Sequence, residues 1–299
     1  EMASRLRELA ELAVTTDAFV VRPLTFPGGS IGELAVNGTV NDLAVSGARP
    51  VALTAALILE EGLTTDELAA QTQAMAAAAT RAGVAITAGD TKVVERGKAD
   101  GLYITTTGIG EVAAAVELTP RLVRPGDKVL VSGTIGDHGI AILLARGDLD
   151  LAADVRSDTQ PLWELASALL DAAGDGLRCM RDATRGGVAT VLNEIALAAD
   201  AAVVIAEDRL PLHPAVKGAG ELLGIDPLYV ANEGKLVAFV APERADAALE
   251  AARATAAGAD AVIVGEVRAD PPGRVLSKTA FGGHRLIDML VGDPLPRIC

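Results

Sequence analysis

Four aspartates stand in short polar contexts between apolar runs: Asp17 in Thr-Thr-Asp, Asp42 in Val-Asn-Asp-Leu, Asp90 in Ala-Gly-Asp-Thr-Lys and Asp182 in Arg-Asp-Ala-Thr-Arg-Gly-Gly. Hard cations such as magnesium take oxygen ligands, so carboxylates gathered around a nucleotide would supply a metal–phosphate site. Taken singly, each also suits a helix cap or a turn. The segment from Asp182 to Gly187 reads either as a phosphate cradle at a helix start or as a loop capped by Thr184. Lys92, two residues after Asp90, could neutralise phosphate or polarise a substrate oxygen. Glu233, in Ala-Asn-Glu-Gly-Lys, could accept a proton. Each could equally be a solvated surface charge. The sequence holds neither a P-loop nor a dinucleotide glycine fingerprint.

The last residue is the sharpest feature. Cys299 closes Pro-Arg-Ile-Cys, on a tail with Gly292, Pro294 and Pro296 among its final residues. Eight extended residues reach roughly 26 Å, so a thiol there could visit more than one site, as a carrier must. An accidental terminal cysteine or a packed tail fits the position as well. Cys179, beside Met180, reads as a buried small hydrophobe. Two cysteines make neither a disulfide framework nor a metal cluster, and they suit a reducing, cytoplasmic setting. His138, His213 and His284 have no mutual ligand spacing, and no metal is assigned to them.

The balance of the chain limits its partners. Lys and Arg total 26 against 40 Asp and Glu, a formal net charge of −14 in 299 residues. That field repels nucleic-acid phosphates and anionic lipid, and an anionic substrate needs a metal or a local cation to offset it. Aromatics are 2% of residues, too few for a base-stacking surface. The longest uncharged stretch, Leu68 to Thr80, is shorter than the roughly 20 residues of a spanning helix. Nucleic acid and membrane are excluded as main partners.

Two modules must position these residues. In the first, the pattern predicts a helix over Met2 to Leu12, a strand over Ala13 to Val21 and a Gly/Pro loop from Pro23 to Gly32. A helix over Glu33 to Ser46, a strand over Val51 to Leu59, a helix over Thr65 to Ala82 and strands over Val84 to Thr87 and Leu102 to Val112 follow. The boundary falls near residues 115–125. The second module predicts strands over Lys128 to Ser132, Ala202 to Ala206, Lys235 to Val240, Ala261 to Val267 and Val275 to Lys278. Its helices span Ile140 to Arg146, Leu162 to Ala173, Val188 to Ala199 and Glu243 to Ala257. After Phe281, glycines and prolines favour a loop. The fold class is α/β (α+β) in two domains, divided as 1–120, 121–280 and a tail over 281–299.

Five motifs occur in a fixed order: Thr-Thr-Asp-Ala-Phe-Val-Val (15–21), Phe-Pro-Gly-Gly-Ser-Ile-Gly (26–32), Val-Asn-Asp-Leu-Ala-Val-Ser-Gly-Ala (40–48), Ala-Gly-Asp-Thr-Lys-Val-Val (88–94) and the terminal Pro-Arg-Ile-Cys. With Phe-Gly-Gly-His-Arg-Leu-Ile-Asp-Met-Leu-Val-Gly-Asp (281–293), they make a chain that resembles the HypE family of hydrogenase maturation proteins from about Leu12 to Cys299. The acidic motifs are shared with a wider ATP-using superfamily that includes aminoimidazole ribonucleotide synthetase, selenophosphate synthetase and thiamine-monophosphate kinase. The resemblance implies an N-terminal α/β domain that binds ATP and dimerises through its sheet, and a C-terminal α/β sandwich. It implies ATP and Mg2+ near the interface of a homodimer, with Asp17, Asp42, Asp90 and Asp182 as metal–phosphate residues and Asn41, Thr91, Thr184 and Arg185 beside them. It implies that Cys299 receives a carbamoyl group from the carbamoyltransferase HypF. ATP-dependent dehydration to a thiocyanate would then supply cyanide, through a HypC–HypD complex, for nickel–iron hydrogenase. Lys92 and Glu233 fall where charge stabilisation and proton removal would be needed. The family pattern opens with a glycine-rich segment that is not seen before Glu1. A kinase or synthetase of a free small molecule, and a non-catalytic scaffold, also accommodate parts of the pattern; neither gives Cys299 a chemical role.

Overall fold

The computed structural model describes residues 11–112, 117–147, 153–279, 281–290, 292 and 297–299. The helix expected over Met2 to Leu12 lies outside the described residues except for Glu11, which is in a bend, and Leu12, which opens a strand. The first half holds β1 (Leu12–Phe19), the two-residue strands β2 (Thr25–Phe26) and β3 (Gly29–Ser30), α1 (Ile31–Val45), β4 (Ala48–Glu60), α2 (Thr65–Ala82), β5 (Ala85–Val94) and β6 (Leu102–Val112). The second holds β7 (Lys128–Val131), α3 (Asp137–Ala145), α4 (Trp163–Ala173), β8 (Leu177–Asp182), α5 (Gly187–Ala199), β9 (Ala202–Ala206), α6 (Pro214–Leu223), β10 (Leu236–Val240), α7 (Ala245–Arg253), β11 (Val262–Arg268), β12 (Val275–Lys278) and β13 (His284–Ile287). Among the described residues no helix is long and apolar enough to cross a membrane.

The first sheet runs β1-β6-β4-β5, antiparallel except for the β4–β5 pair, which α2 connects as a crossover. One face is covered by helix and the other is open. On β1, Thr15, Asp17 and Phe19 alternate with the more exposed Val14, Thr16 and Ala18, so Asp17 points to the helix side. α2 starts where its sequence says it should. Thr64 and Glu67 close a capping box, and the helix buries only Gln71, Met75, Ala78 and Ala79. α1 is different, with 13 of its 15 residues buried between the sheet, α2, α4 and β8. A helix covered nearly all round must find partners for its polar side chains, and here all but Asn37 Oδ1 do so. Asn37 donates to Thr159 Oγ1 at 3.0 Å, Thr39 pairs with Thr106, and Asn41 bonds three backbone groups.

The second sheet runs β13-β12-β9-β11-β7-β10-β8, antiparallel except where β9 meets β12. Val188, Val191, Leu192 and Ile195 of α5 cover one face. Leu165 and Leu169 of α4, with Ala248 and Ala252 of α7, cover the other. The halves interlock: Ile140 and Ile142 from α3, Val216 and Ala219 from α6, and Ile298 from the tail all enter the core of the first half.

Several elements depart from the sequence expectation: β2 and β3 pair within the expected Gly/Pro loop, and β5, expected over Val84 to Thr87, runs on to Val94 and takes in Asp90 and Lys92. β8 is a strand because it pairs along β10; the arginines within Leu-Arg-Cys-Met-Arg-Asp hide its apolar pattern. α6 begins at Pro214 and contains Gly218 and Gly220, and it holds through His213, which caps Ala215 N–H, and through the burial of Val216 and Ala219. The tail is not all loop. Gly282 and Gly283 turn a hairpin, with Thr279 N–H donating to Gly283 C=O at 2.9 Å, and β13 pairs with β12.

Candidate active site

Three elements bring carboxylates to one place. Asp17 is near the end of β1, Asp42 is on α1 and Asp182 is the last residue of β8. Thr15 Oγ1 donates to Asp42 Oδ2 at 2.8 Å, and Arg185 reaches Asp17 Oδ1 at 3.4 Å. Burial, and then the neighbouring charges of Asp182 and Asp17, push the Asp42 carboxyl up to about 6. Asp182 is also raised, chiefly by burial, against the pull of Arg181 and a hydrogen bond from Thr184. The loop after Asp182 has little room to move: Gly187 has φ +61°, and a Cβ there would lie 2.5 Å from the carbonyl oxygens of Leu228 and Val230. α5 is capped by Gly186 and not by Thr184, with no side-chain cap bond.

Glu233 faces the same cluster from the loop before β10. It is 3% exposed, and its Oε1 has no hydrogen-bond partner. Burial, with the charges of Asp158, Asp182, Asp17 and Asp42, holds this carboxyl well above the ordinary range. Its backbone is tied on every side. Asp158 accepts from Glu233 N–H at 3.0 Å and Gly234 N–H at 3.3 Å, and its ion pair to Lys235 spans 3.4 Å. Asn41 donates to the Glu233 carbonyl at 3.2 Å and to the Gln160 carbonyl at 3.1 Å, and accepts from Leu162 N–H at 2.8 Å. A Cβ on Gly234 would lie 1.9 Å from the Asp158 carbonyl oxygen, so glycine is required there. Asp158 was not foreseen, because nothing in Val-Arg-Ser-Asp-Thr-Gln-Pro distinguishes it from a loop charge.

Asp90, Thr91 and Lys92 do not join this cluster within one chain. Through the register Asp90–Ala56, Ala56–Thr105 and Thr105–Ala18, Asp90 stands three strands from β1, about 14 Å across the sheet, on its open face. There Lys92 pairs with Asp90 at 2.6 Å, and both are largely exposed. Among the described residues no three His, Cys, Asp or Glu side chains converge to hold a metal by themselves. The four aspartates are therefore not one preformed cage in a single chain.

The tail, by contrast, docks on the chain that follows β1. Ile298 forms an antiparallel bridge with Val21, and Val20 N–H donates to a main-chain carboxylate oxygen of Cys299 at 2.8 Å. Cys299 is half-buried against the first core, alongside the chain that leaves β1 three residues after Asp17. Cys179 is 2% exposed, as expected of a small hydrophobe, and burial pushes its thiol up to about 11.

The acidic cluster fits a hard cation bound with phosphate. Its donors are all oxygens, one of them orphaned and buried, and burial raises the carboxyls of Asp42, Asp182 and Glu233. Magnesium commonly takes one or two carboxylates and completes its shell with phosphate oxygens and water, so no full protein cage is needed.

A test on the fold follows. The Asp42 carboxyl is raised from 3.8 to about 6, so its contribution is present in full below about pH 4 and is lost as pH climbs through 6. Asp42→Asn cannot ionise and can still accept from Thr15. Nucleotide-free Asp42→Asn should melt higher than the parent near pH 7.5, by at most about 3 kcal/mol, and equally near pH 4. Thermal melts at the two pH values check this.

Comparison with known proteins places the chain among relatives. Residues 2–112 match the N-terminal domain of AIR synthase related proteins, and residues 124–278 match their C-terminal domain. The carbamoyl dehydratase HypE of Rhodobacter capsulatus is 54% identical over 290 residues, 97% of this chain and 85% of that protein. A crystal structure of the hydrogenase maturation protein HypE in complex with ATP superposes with a TM-score of 0.92 at 46% identity, covering 97% of this chain and 88% of that one. A HypE–HypF complex contains a chain with a TM-score of 0.89 and 46% identity, covering 93% and 90%.

Proposed function

The chain belongs to the AIR synthase related family and, within it, to the HypE carbamoyl dehydratases, and on that premise we propose that it dehydrates a carbamoyl group carried on its own Cys299 thiol to a thiocyanate. The product would provide the cyanide ligand of nickel–iron hydrogenase. The carbamoyl group would come from a HypF-type carbamoyltransferase, and the cyanide would pass to a HypC–HypD complex, all within the cytoplasm. The observation that supports this reading is the tail itself: its last residues dock on the chain that leaves β1, the strand that carries Asp17 of the acidic cluster.

When bound, ATP with magnesium supplies a phosphoryl group that makes the carbamoyl oxygen a good leaving group. The chain's residues do the rest. Asp17, Asp42 and Asp182 would hold the metal and, through it, the phosphates, with Thr184 and Arg185 at the edge of the cluster. Asn41 and Asp158 fix the backbone of Glu233, whose carboxyl faces the acidic cluster with one oxygen unbonded. Loss of water from a carbamoyl group removes both protons from its nitrogen, and Glu233 is placed to take one. It can do so only after positive charge enters the pocket and lets it ionise. That condition keeps the base idle until the site is loaded.

Asp90, Thr91 and Lys92 would join from a second copy. Asp90 and Lys92 lie on the open face of the first sheet, which also exposes Leu12, Val14 and Ile58, while Thr91 between them turns to the helix side. Packing two such faces would make a homodimer in which Lys92 of one subunit lies against the other's sheet and would reach its acidic cluster only around the edge strand β1. In this reading, residues 1–120 bind nucleotide and dimerise, 121–280 complete the pocket, and 281–299 carry the substrate.

Intact mass is the direct test: the protein should gain one carbamoyl group from the donor system and, after ATP, lose one water. A tail that never takes the group would sink the reading. A second measurement concerns the metal. An acidic chain of net charge −14 should bind ATP only weakly in chelator, and Asp42→Ala or Asp90→Ala should weaken magnesium-dependent binding. Equal calorimetric affinity with and without magnesium would remove the metal from the site.

A further inference from the structure

His138 stands in the first turn of α3, fully buried, with both ring nitrogens engaged. Nε2 lies 2.6 Å from the carbonyl oxygen of Ile298, and Nδ1 lies 2.8 Å from Ser157 Oγ. Phe26 meets the ring edge-on, with centroids 5.7 Å apart. A carbonyl oxygen only accepts, so Nε2 carries the proton. Burial favours the neutral ring, leaving Nδ1 as an acceptor and Ser157 Oγ–H as its donor. The hydroxyl oxygen in turn accepts Thr159 N–H at 3.2 Å. One tautomer satisfies every contact.

The backbone of the tail explains why that donor is needed. The main-chain oxygens on either side of Ile298 are turned toward the chain after β1. Arg297 and Cys299 direct theirs to Arg22 N–H and Val20 N–H, and Arg146 adds a bond to the Arg297 carbonyl at 2.7 Å. The Ile298 carbonyl faces inward, where an unpaired acceptor is costly. We propose that His138 is the positioning residue that seats the C-terminal tail, by donating its Nε2 proton to Ile298 while Ser157 fixes the tautomer that makes this possible. Ser157 is held by donating its N–H to the Pro27 carbonyl at 2.8 Å, and the next residue, Asp158, clamps the Glu233 loop. The seat of the tail and the seat of the base are thus built on adjacent residues.

The consequence for catalysis rests on the carbamoyl dehydratase reading; the docking does not. The test alkylates the full-length protein with iodoacetamide and follows the Cys299 peptide by mass, with buried Cys179 as an internal reference. His138→Leu should raise the Cys299 rate up to about tenfold. His138→Gln places an amide donor near the Nε2 position and should return the rate toward that of the parent, which a loss of packing alone would not allow. Ser157→Ala frees the tautomer while keeping the ring, and should give a smaller rise; it carries the test if His138→Leu does not fold. In a parallel assay, His138→Leu should slow dehydration of a carbamoylated tail without changing ATP affinity. Parental labelling rates in folded His138→Leu, or in Ser157→Ala where the first does not fold, would overturn the proposal. Altered labelling alongside a parent that never dehydrates its tail would support the seat and defeat the dehydratase reading.

Discussion

Replacing Cys299 by alanine should abolish formation of the cyanide donor entirely, while the melting temperature and ATP affinity stay near those of the parent. The tail docks through backbone groups: Val20 N–H to a main-chain carboxylate oxygen of Cys299, Arg22 N–H to the Arg297 carbonyl and His138 to the Ile298 carbonyl. Alanine keeps all of them, and loss of a half-buried sulfur costs on the order of 1 kcal/mol. No other thiol can substitute. Cys179 is walled into the second core, and with its thiol pushed up to about 11 it is almost never a thiolate at neutral pH. The check is peptide mass spectrometry after incubation with the carbamoyl donor. A carbamoyl adduct retained on Cys299→Ala would show that the group is carried elsewhere.

How much of this was readable beforehand depended on range. α2 was legible to the residue, because its capping box and first-turn acids are local signals. The two α/β halves followed from alternating apolar runs. The site was only partly legible: each aspartate motif could be seen, but not which ones meet. Asp17, Asp42 and Asp182 converge because β1, α1 and β8 pack together, whereas Asp90 looks equivalent in sequence and lies at the other edge of the sheet. Strand order is a long-range property that short motifs do not carry. His138 and Asp158 were invisible for the same reason. A lone histidine in an apolar helix becomes meaningful only when a residue 160 positions away comes to rest on it.

Glu233→Gln and Lys92→Ala should both accept the carbamoyl group on Cys299 and then stall, with dehydration slowed about 10²–10⁴-fold. Neither change should disturb the fold. Asp158 and Asn41 grip the backbone of Glu233 and not its carboxyl, whose Oε1 has no partner to lose. Lys92 pairs with Asp90 on an exposed strand, where solvent screens the pair. The tail peptide should therefore accumulate in its carbamoylated form with ATP present. The two residues differ in one informative way: Glu233 lines the pocket of its own chain, whereas Lys92 stands about 14 Å across the sheet from β1. If Lys92 acts across a homodimer, mixing the two inactive variants restores one intact site in each mixed dimer. With random exchange at equal amounts, about a quarter of the sites should recover. Action within one chain predicts no recovery, because every site would then lack one residue or the other. Normal dehydration in both single variants would place the proton transfer and charge stabilisation on other residues, and would leave the role of Cys299 untouched.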